Sequence, residues 1–251
     1  MASLEEIVAH LNAELRIDEI PDYPGAHNGL QMQGRGRVQR VAAAVDASLP
    51  VVRRAAEAGA DLLIVHHGMF WSGARPVTGA TYEKYKTAME AGLGIYSCHI
   101  PLDVHPVLGN NACLVGGLGL RDPEPFFEWK GIELGLRGTF DGSLDDLTER
   151  AGLILGERPH VCAGGSALAG LVGVISGGAG SEVEAAAACG IDTFLTGEGP
   201  HWSFTTAEEL GLNVLYGGHY ATETFGVRAV GNHLADRFGV AWGFLDHPSG
   251  L

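Results

Sequence analysis

The sequence predicts an α/β fold of two similar halves, and three observations support that prediction. Strand-length apolar runs such as Val41–Val45 and Leu62–Val65 alternate with helix-length segments such as Leu49–Ala58. The runs are continuously apolar, which is typical of parallel strands covered on both faces. The segment Val41–Trp71 also recurs without a gap as Val172–Trp202, 131 residues further along the chain.

The repeat indicates an internal duplication. Generic strand-helix-strand units share composition, but glycine, aspartate and tryptophan also match over 31 ungapped positions. The matched pairs are Gly59 with Gly190, Asp61 with Asp192, and Trp71 with Trp202. We therefore predict one compact domain with a first half at 1–124 and a second half at 125–251. In this register His66-His67 falls opposite Gly197-Glu198, so the histidine pair is an addition of the first half.

The remaining elements follow from local signals. Ser3 and Glu6 form a capping-box pattern, which predicts a helix from Ser3 to about Ile17. Asn28–Met32 is predicted as a turn that leads into a short strand. A helix over Thr81–Ala91 should end at the following glycine, and a strand over Ile95–Cys98 should come next.

Composition limits the classes of partner. The chain has 251 residues, with 30 acidic against 16 basic side chains, so its net charge of −14 disfavours nucleic acid and acidic membranes. It contains no 18-residue apolar run and no signal-peptide pattern, so we expect no membrane span. Its four cysteines are scattered without a Cys-x-x-Cys pair, which indicates a reducing, cytoplasmic environment.

Histidines and carboxylates follow three of the predicted strands. One apolar strand runs into a histidine pair, and two others lead to the pattern His-x-x-x-carboxylate. These side chains are His66, His67, His99, Asp103, His219 and Glu223. Imidazole and carboxylate are ligands of Zn, Mn and Fe, and this set exceeds what one structural ion needs. We therefore predict a site for two divalent metal ions, in which His99 is either a ligand or a residue that orients one by hydrogen bond.

Other residues permit two interpretations each. His201 follows a second-half strand and is either a proton shuttle or an exposed loop histidine. Asp46 and Ser48 lie beyond the Val41 strand, at the mouth of the site, unless Ser48 only caps the next helix. Tyr220 and Thr222 lie between two predicted ligands and either contact substrate or pack.

Together these motifs resemble the NGG-one-interacting-factor-three-like dinuclear metal-centre proteins, also labelled type-two GTP cyclohydrolase I homologues. The motifs include Asn28-Gly29-Leu30-Gln31, Ile64-Val65-His66-His67-Gly68, His99-Ile100-Pro101-Leu102-Asp103, Thr196-Gly197-Glu198 and Gly218-His219-Tyr220-Ala221-Thr222-Glu223. The resemblance implies the metal ligands His66, His67, Asp103, His219 and Glu223, with Glu223 bridging both ions. It also implies two α/β halves with the site between them, a homohexameric ring, and the compact form without an inserted domain.

We expect a cytoplasmic metal-dependent hydrolase whose metal-activated water attacks a nucleotide or another small phosphorylated or heterocyclic substrate. GTP ring opening is the reaction that the family label suggests. Glu223, His99 and His201 are the candidate catalytic residues. The alternative is a metal-binding regulator, chaperone or scaffold without turnover.

Overall fold

The structure is a computed structural model that describes residues 2–73 and 75–251. The described chain divides into two compact units. The first unit comprises the chain up to Leu102 together with Gly226–His247, and the second comprises Asp103–Phe225 together with Pro248–Leu251. The division at residue 124 that the repeat suggests stays a prediction. In the structure the last strand of the chain belongs to the first unit.

The helices and strands follow one another in chain order. Up to residue 103 they are β1 (Ala2–Ser3), α1 (Leu4–Glu14), β2 (Gly29–Met32), β3 (Arg37–Val38), β4 (Arg40–Asp46), α2 (Leu49–Glu57), β5 (Leu62–His67), α3 (Gly79–Ala91), β6 (Gly94–Ser97) and α4 (Ile100–Asp103). Next come α5 (Asn110–Leu118), β7 (Arg121–Trp129), β8 (Ile132–Ser143), α6 (Leu144–Leu155), β9 (His160–Ala163), β10 (Leu168–Val174), a 3₁₀ turn (Ala179–Glu182) and α7 (Val183–Ala188). The rest are β11 (Thr193–Thr196), α8 (His201–Leu210), β12 (Asn213–Tyr216), α9 (His219–Thr222), α10 (Thr224–Phe238) and β13 (Ala241–Phe244).

Helix α1 begins where the sequence predicts. The Ser3 hydroxyl accepts the N–H of Glu6 at 3.1 Å, and the Glu6 carboxylate accepts the N–H of Ser3 at 2.8 Å. This reciprocal pair satisfies backbone donors that the first helical turn leaves open. The helix ends at Glu14, three residues before the predicted Ile17.

The first unit contains a largely parallel sheet with the order β13-β4-β5-β6-β2, in which only the edge strand β2 runs antiparallel among the described strands. Its core joins Val51 and Val52 of α2 and Ala88 of α3 to Leu63 and Val65 of β5. Burial of the whole β5 strand explains why the sequence shows a continuous apolar run there.

The second unit contains a mixed sheet with the order β7-β8-β10-β11-β12-β9. Strands β10, β11 and β12 are parallel to one another, and β7 forms a hairpin with β8 at the sheet edge. Pro123 and Pro125 lie in β7. An edge strand tolerates proline, since the missing N–H is not needed by a second neighbour. Within the described residues, no helix is long and apolar enough to span a membrane.

The two sheets repeat one register, as the sequence predicts. Val41 of β4 pairs with Leu62 of β5, and Val172 of β10 pairs with Thr193 of β11, so both partners are displaced by 131. The matching aspartates also perform one task. The Asp61 carboxylate accepts the N–H of Arg40 at 3.0 Å, and the Asp192 carboxylate accepts that of Leu171 at 2.8 Å.

Candidate metal centre

The histidines of the first unit lie together at the carboxyl end of its parallel strands. His66 and His67 close β5, and His99 follows β6, its parallel neighbour. All three are buried, and each offers a ring nitrogen within 4.8 Å of the other two. Parallel sheets place their binding sites at this edge. This buried group could therefore hold a metal ion.

The first two of these rings are oriented by a hydrogen bond from Nδ1. Nδ1 of His66 lies 3.0 Å from the carbonyl oxygen of Cys98, and Nδ1 of His67 lies 3.0 Å from Oδ1 of Asp46. Since a carbonyl or carboxylate only accepts, each Nδ1 carries the hydrogen and donates it. The lone pair is then on Nε2, which is the arrangement that orients metal-bound imidazole in proteins.

His99 is held by an aspartate that the sequence reasoning missed. Its Nδ1–H donates to Oδ1 of Asp22 at 2.8 Å, and its backbone N–H donates to Oδ1 of Asn28 at 2.8 Å. The Asn28 amide in turn donates to Oδ2 of Asp22 at 2.8 Å. Burial disfavours the charged carboxylate, but these contacts outweigh it and hold the pKa of Asp22 below its usual range.

In the second unit, Asp103 is fixed by two donors. Its Oδ1 accepts Nδ2 of Asn110 at 2.8 Å and the hydroxyl of Ser176 at 3.0 Å. Asp103 is buried, so these bonds offset part of the cost of removing a carboxylate from water. A carboxylate with one oxygen held in this way has its direction set before any ion binds.

His219 and Glu223 approach each other one helical turn apart, as the i, i+4 spacing predicts. Nε2 of His219 lies 3.1 Å from Oε1 of Glu223, and Nδ1 donates to Oε1 of Glu198 at 2.7 Å. Burial opposes protonation of the ring, but the Glu223 and Glu198 carboxylates together raise the pKa of His219 to about 9. Glu223 is 2% exposed and lies at the break between α9 and α10.

Gly177 makes room for Glu223. Its φ is +69°, and a Cβ built there would overlap Oε1 of Glu223. Its N–H donates to the hydroxyl of Thr222 at 3.0 Å, and the single hydrogen of that hydroxyl is shared between the carbonyls of Gly218 and His219. Thr222 is fully buried, which favours the packing interpretation over contact with a substrate. Only glycine combines this φ with this approach.

The remaining candidates fall in different places. Ser48 caps α2 through the N–H of Val51, whereas Asp46 orients His67, so these neighbours have separate roles. His201 is exposed as the first residue of α8 and lines a cavity of about 380 Å³. Tyr216 is another lining residue of this cavity.

The chain is similar along nearly its whole length to the members of one protein family. The family described as Duf34/NIF3 (NGG1p interacting factor 3) matches residues 2–248. A Deinococcus radiodurans protein named GTP cyclohydrolase 1 type 2 homolog is 46% identical, over 98% of this chain and 94% of that protein. A Pyrococcus abyssi protein of the same name is 41% identical, over 98% of this chain and 99% of that one.

Solved structures share the fold. The crystal structure of TTHA1606 from Thermus thermophilus is 40% identical, with a TM-score of 0.88 and full coverage of both chains. The structure of protein ybgI is 34% identical with a TM-score of 0.92, again over 100% of both chains. Reduced HcgD from Methanocaldococcus jannaschii is 29% identical with a TM-score of 0.87, over 98% of both chains. These similarities confirm the predicted α/β fold.

Proposed function

Because the chain belongs to the Duf34/NIF3 family, we propose that it is a hydrolase with a centre of two divalent metal ions. The proposed ligands are His66, His67, Asp103, His219 and Glu223. Glu223 would hold both ions. Zn, Mn and Fe are the candidate metals, because imidazole and carboxylate ligands suit all three.

One observation carries the proposal. His66, His67, His99 and His219 each donate Nδ1–H to a carbonyl or carboxylate oxygen at 2.7 to 3.0 Å. A histidine that serves only the core needs no shared tautomer, whereas a metal ligand needs Nε2 unprotonated and its ring fixed. The Nδ1–H tautomer at His66, His67 and His99 therefore supports metal binding, whereas His219 also donates Nε2–H to Glu223 and would release that proton on binding a metal.

The chain's own residues would supply orientation and proton transfer. When bound, the divalent ions would supply a water whose pKa is lowered towards neutrality. Asp103 and Glu223 would balance the positive charge with their carboxylates. Asp22 holds the His99 ring with its Nδ1 protonated, so Nε2 of His99 can accept a proton from the reacting water. His201, which is exposed, would pass protons to solvent.

The surroundings of the histidines support a planar substrate. The Trp71 ring centre lies 5.0 Å from that of His67 and 4.3 Å from that of His99, and Trp71 is 38% exposed. Tyr23 meets Trp71 edge-on and is also exposed. Exposed aromatic rings beside a metal centre favour stacking of a heterocycle. A nucleotide is therefore the proposed substrate class, with GTP first because relatives are named GTP cyclohydrolase 1 type 2 homologs.

We also propose a homohexameric ring and a cytoplasmic location. The family resemblance supports the ring. The location is supported by Cys98, Cys113, Cys162 and Cys189, which form no disulfide within the described chain.

The test compares Glu223→Gln with Glu149→Gln, an exposed matched control. Untagged proteins loaded with Zn, Mn or Fe are offered GTP and simple phosphodiesters, and both metal content and product are measured. We expect turnover by the wild type and the control, and a loss of at least about 100-fold in Glu223→Gln, because removal of a charged ligand disables the activated water. Wild-type turnover in Glu223→Gln would contradict the mechanism. Full metal loading without turnover on any substrate would favour the regulatory, chaperone or scaffold role.

A further inference from the structure

A second group of metal-binding side chains lies within the first unit and shares no residue with the centre described above. His10 and Glu14 lie four residues apart on α1, and His233 lies on α10. Each offers one ligand atom, and these atoms all lie within 4.8 Å of one another. The i, i+4 spacing places His10 and Glu14 on one face of α1.

The two histidines meet through the nitrogens that bind metals. Nε2 of His10 lies 2.7 Å from Nε2 of His233, with the ring centres 5.0 Å apart and the planes 15° apart, so the two rings meet edge to edge through these nitrogens. Two nitrogens on one tetrahedral Zn²⁺ lie about 3.3 Å apart, given Zn–N bonds of about 2.0–2.1 Å. To admit the ion, the nitrogens would therefore separate by about 0.6 Å and the rings would turn until both lone pairs point at it.

The environment of the group suits a charged ion with open positions. All three side chains are partly buried, so the group is sheltered but accessible to water. Glu14 supplies a negative charge. The positive charge of Arg237 disfavours further positive charge at His10. The Arg237 guanidinium lies over the Phe238 ring, 5.7 Å from the ring centre. The Phe238 ring also packs edge-on against His10, with the ring centres 5.5 Å apart.

We propose that His10, Glu14 and His233 form a separate binding site for one divalent metal ion of the Zn²⁺ class, which joins α1 to α10. Two imidazoles and one carboxylate are a ligand set that proteins use for Zn²⁺ and Fe²⁺. A fourth position would be filled by water. The site closes a loop of more than two hundred residues, from His10 to His233. A ligand that binds only the folded state stabilises it, so the bound ion would stabilise the first unit against unfolding.

The test measures Zn²⁺ stoichiometry in the full, untagged chain. Wild type, His10→Gln/His233→Gln, Glu14→Gln and the exposed control His247→Ala are stripped with chelator and titrated with Zn²⁺, and bound metal is counted by native mass spectrometry. Glutamine retains hydrogen-bonding groups, so the double variant separates a structural histidine pair from a metal site. We expect wild type and control to bind one ion more than the double variant, and Glu14→Gln to bind that ion at least about tenfold more weakly.

A second measurement keeps the inference testable if the double variant fails to fold. Long-range ¹H–¹⁵N NMR of wild-type protein reports the ring nitrogens of individual histidines during the same titration. Zn²⁺ should shift Nε2 of both His10 and His233 and should leave His247 unchanged. Equal stoichiometry in wild type and a folded double variant, or unshifted His10 and His233 nitrogens at saturating Zn²⁺, would overturn the proposal.

Discussion

The two repeats place different chemistry on one backbone position. His67 closes β5, and Glu198, 131 residues later, follows β11. His67 is a proposed ligand that donates to the carboxylate of Asp46, whereas Glu198 is the carboxylate that accepts from the proposed ligand His219. The duplicated sheets therefore supply matched positions at a strand edge. At this matched position the first repeat has an imidazole, and the second has a carboxylate that orients an imidazole.

The two repeats also differ at the position of Asp46. The equivalent residue in the second repeat, 131 residues later, is Gly177, which has no side chain. The space that a side chain would take is occupied by Oε1 of Glu223, which a Cβ at this position would overlap. In the first repeat this position orients a histidine, and in the second it admits a carboxylate. The two repeats thus differ at these matched positions both in the type of side chain and in whether one is present.

The largest effect should come from closing that space. Gly177→Ala forces alanine into φ +69° and overlaps Glu223. The left-handed conformation costs about 1–2 kcal/mol and the overlap about 1–3 kcal/mol, so we expect unfolding free energy to fall by about 2–5 kcal/mol. Displaced Glu223 should also weaken metal binding. Urea unfolding and metal titration measure both effects.

Gly190→Ala is the matched control, because Gly190 has φ +76° and no atom within 4 Å of its added Cβ among those the structure describes. It should lose only the conformational cost of about 1–2 kcal/mol and keep the metal affinity of the wild type. Equal losses of stability and of metal affinity in the two variants would show that Glu223 does not depend on the space at Gly177.

Neutral variants of the two orienting carboxylates test whether each repeat holds its histidine for metal binding. Asp46 and Glu198 have side chains that are 43% and 44% exposed, and each accepts one Nδ1–H. Asp46→Asn and Glu198→Gln keep the shape of the side chain but remove its charge. Since partners of metal-bound histidines contribute about 10–100-fold to affinity, we expect a similar loss in both variants by calorimetric titration. A loss in one variant alone would mean that only one repeat holds its histidine for a metal.

The sequence predicts the helices and strands that have local signals. It does not show features that depend on contacts between residues distant in sequence. The cap at Ser3 and the apolar run of β5 depend on neighbours in sequence, so the sequence shows both. Asp22 could not be found in this way, because it lies in an irregular loop and reaches His99 across 77 residues. The β7 strand was also missed, since its prolines are acceptable only at a sheet edge, which the sequence does not locate. Ser143 and Asp146, by contrast, form a capping box at α6 that the sequence could have shown.

The smallest effect should appear at the aspartates that the repeats retain. Asp61 accepts the N–H groups of Gln39 and Arg40, whereas Asp192 accepts the N–H of Leu171. At about 0.5–1.5 kcal/mol for each bond, Asp61→Ala should lose about 2 kcal/mol and Asp192→Ala about 1 kcal/mol in urea unfolding. The asparagine variants keep an acceptor oxygen and should recover most of each loss. If Asp192→Ala were the more damaging change, the shared carboxylate would matter in the second repeat for something other than this turn.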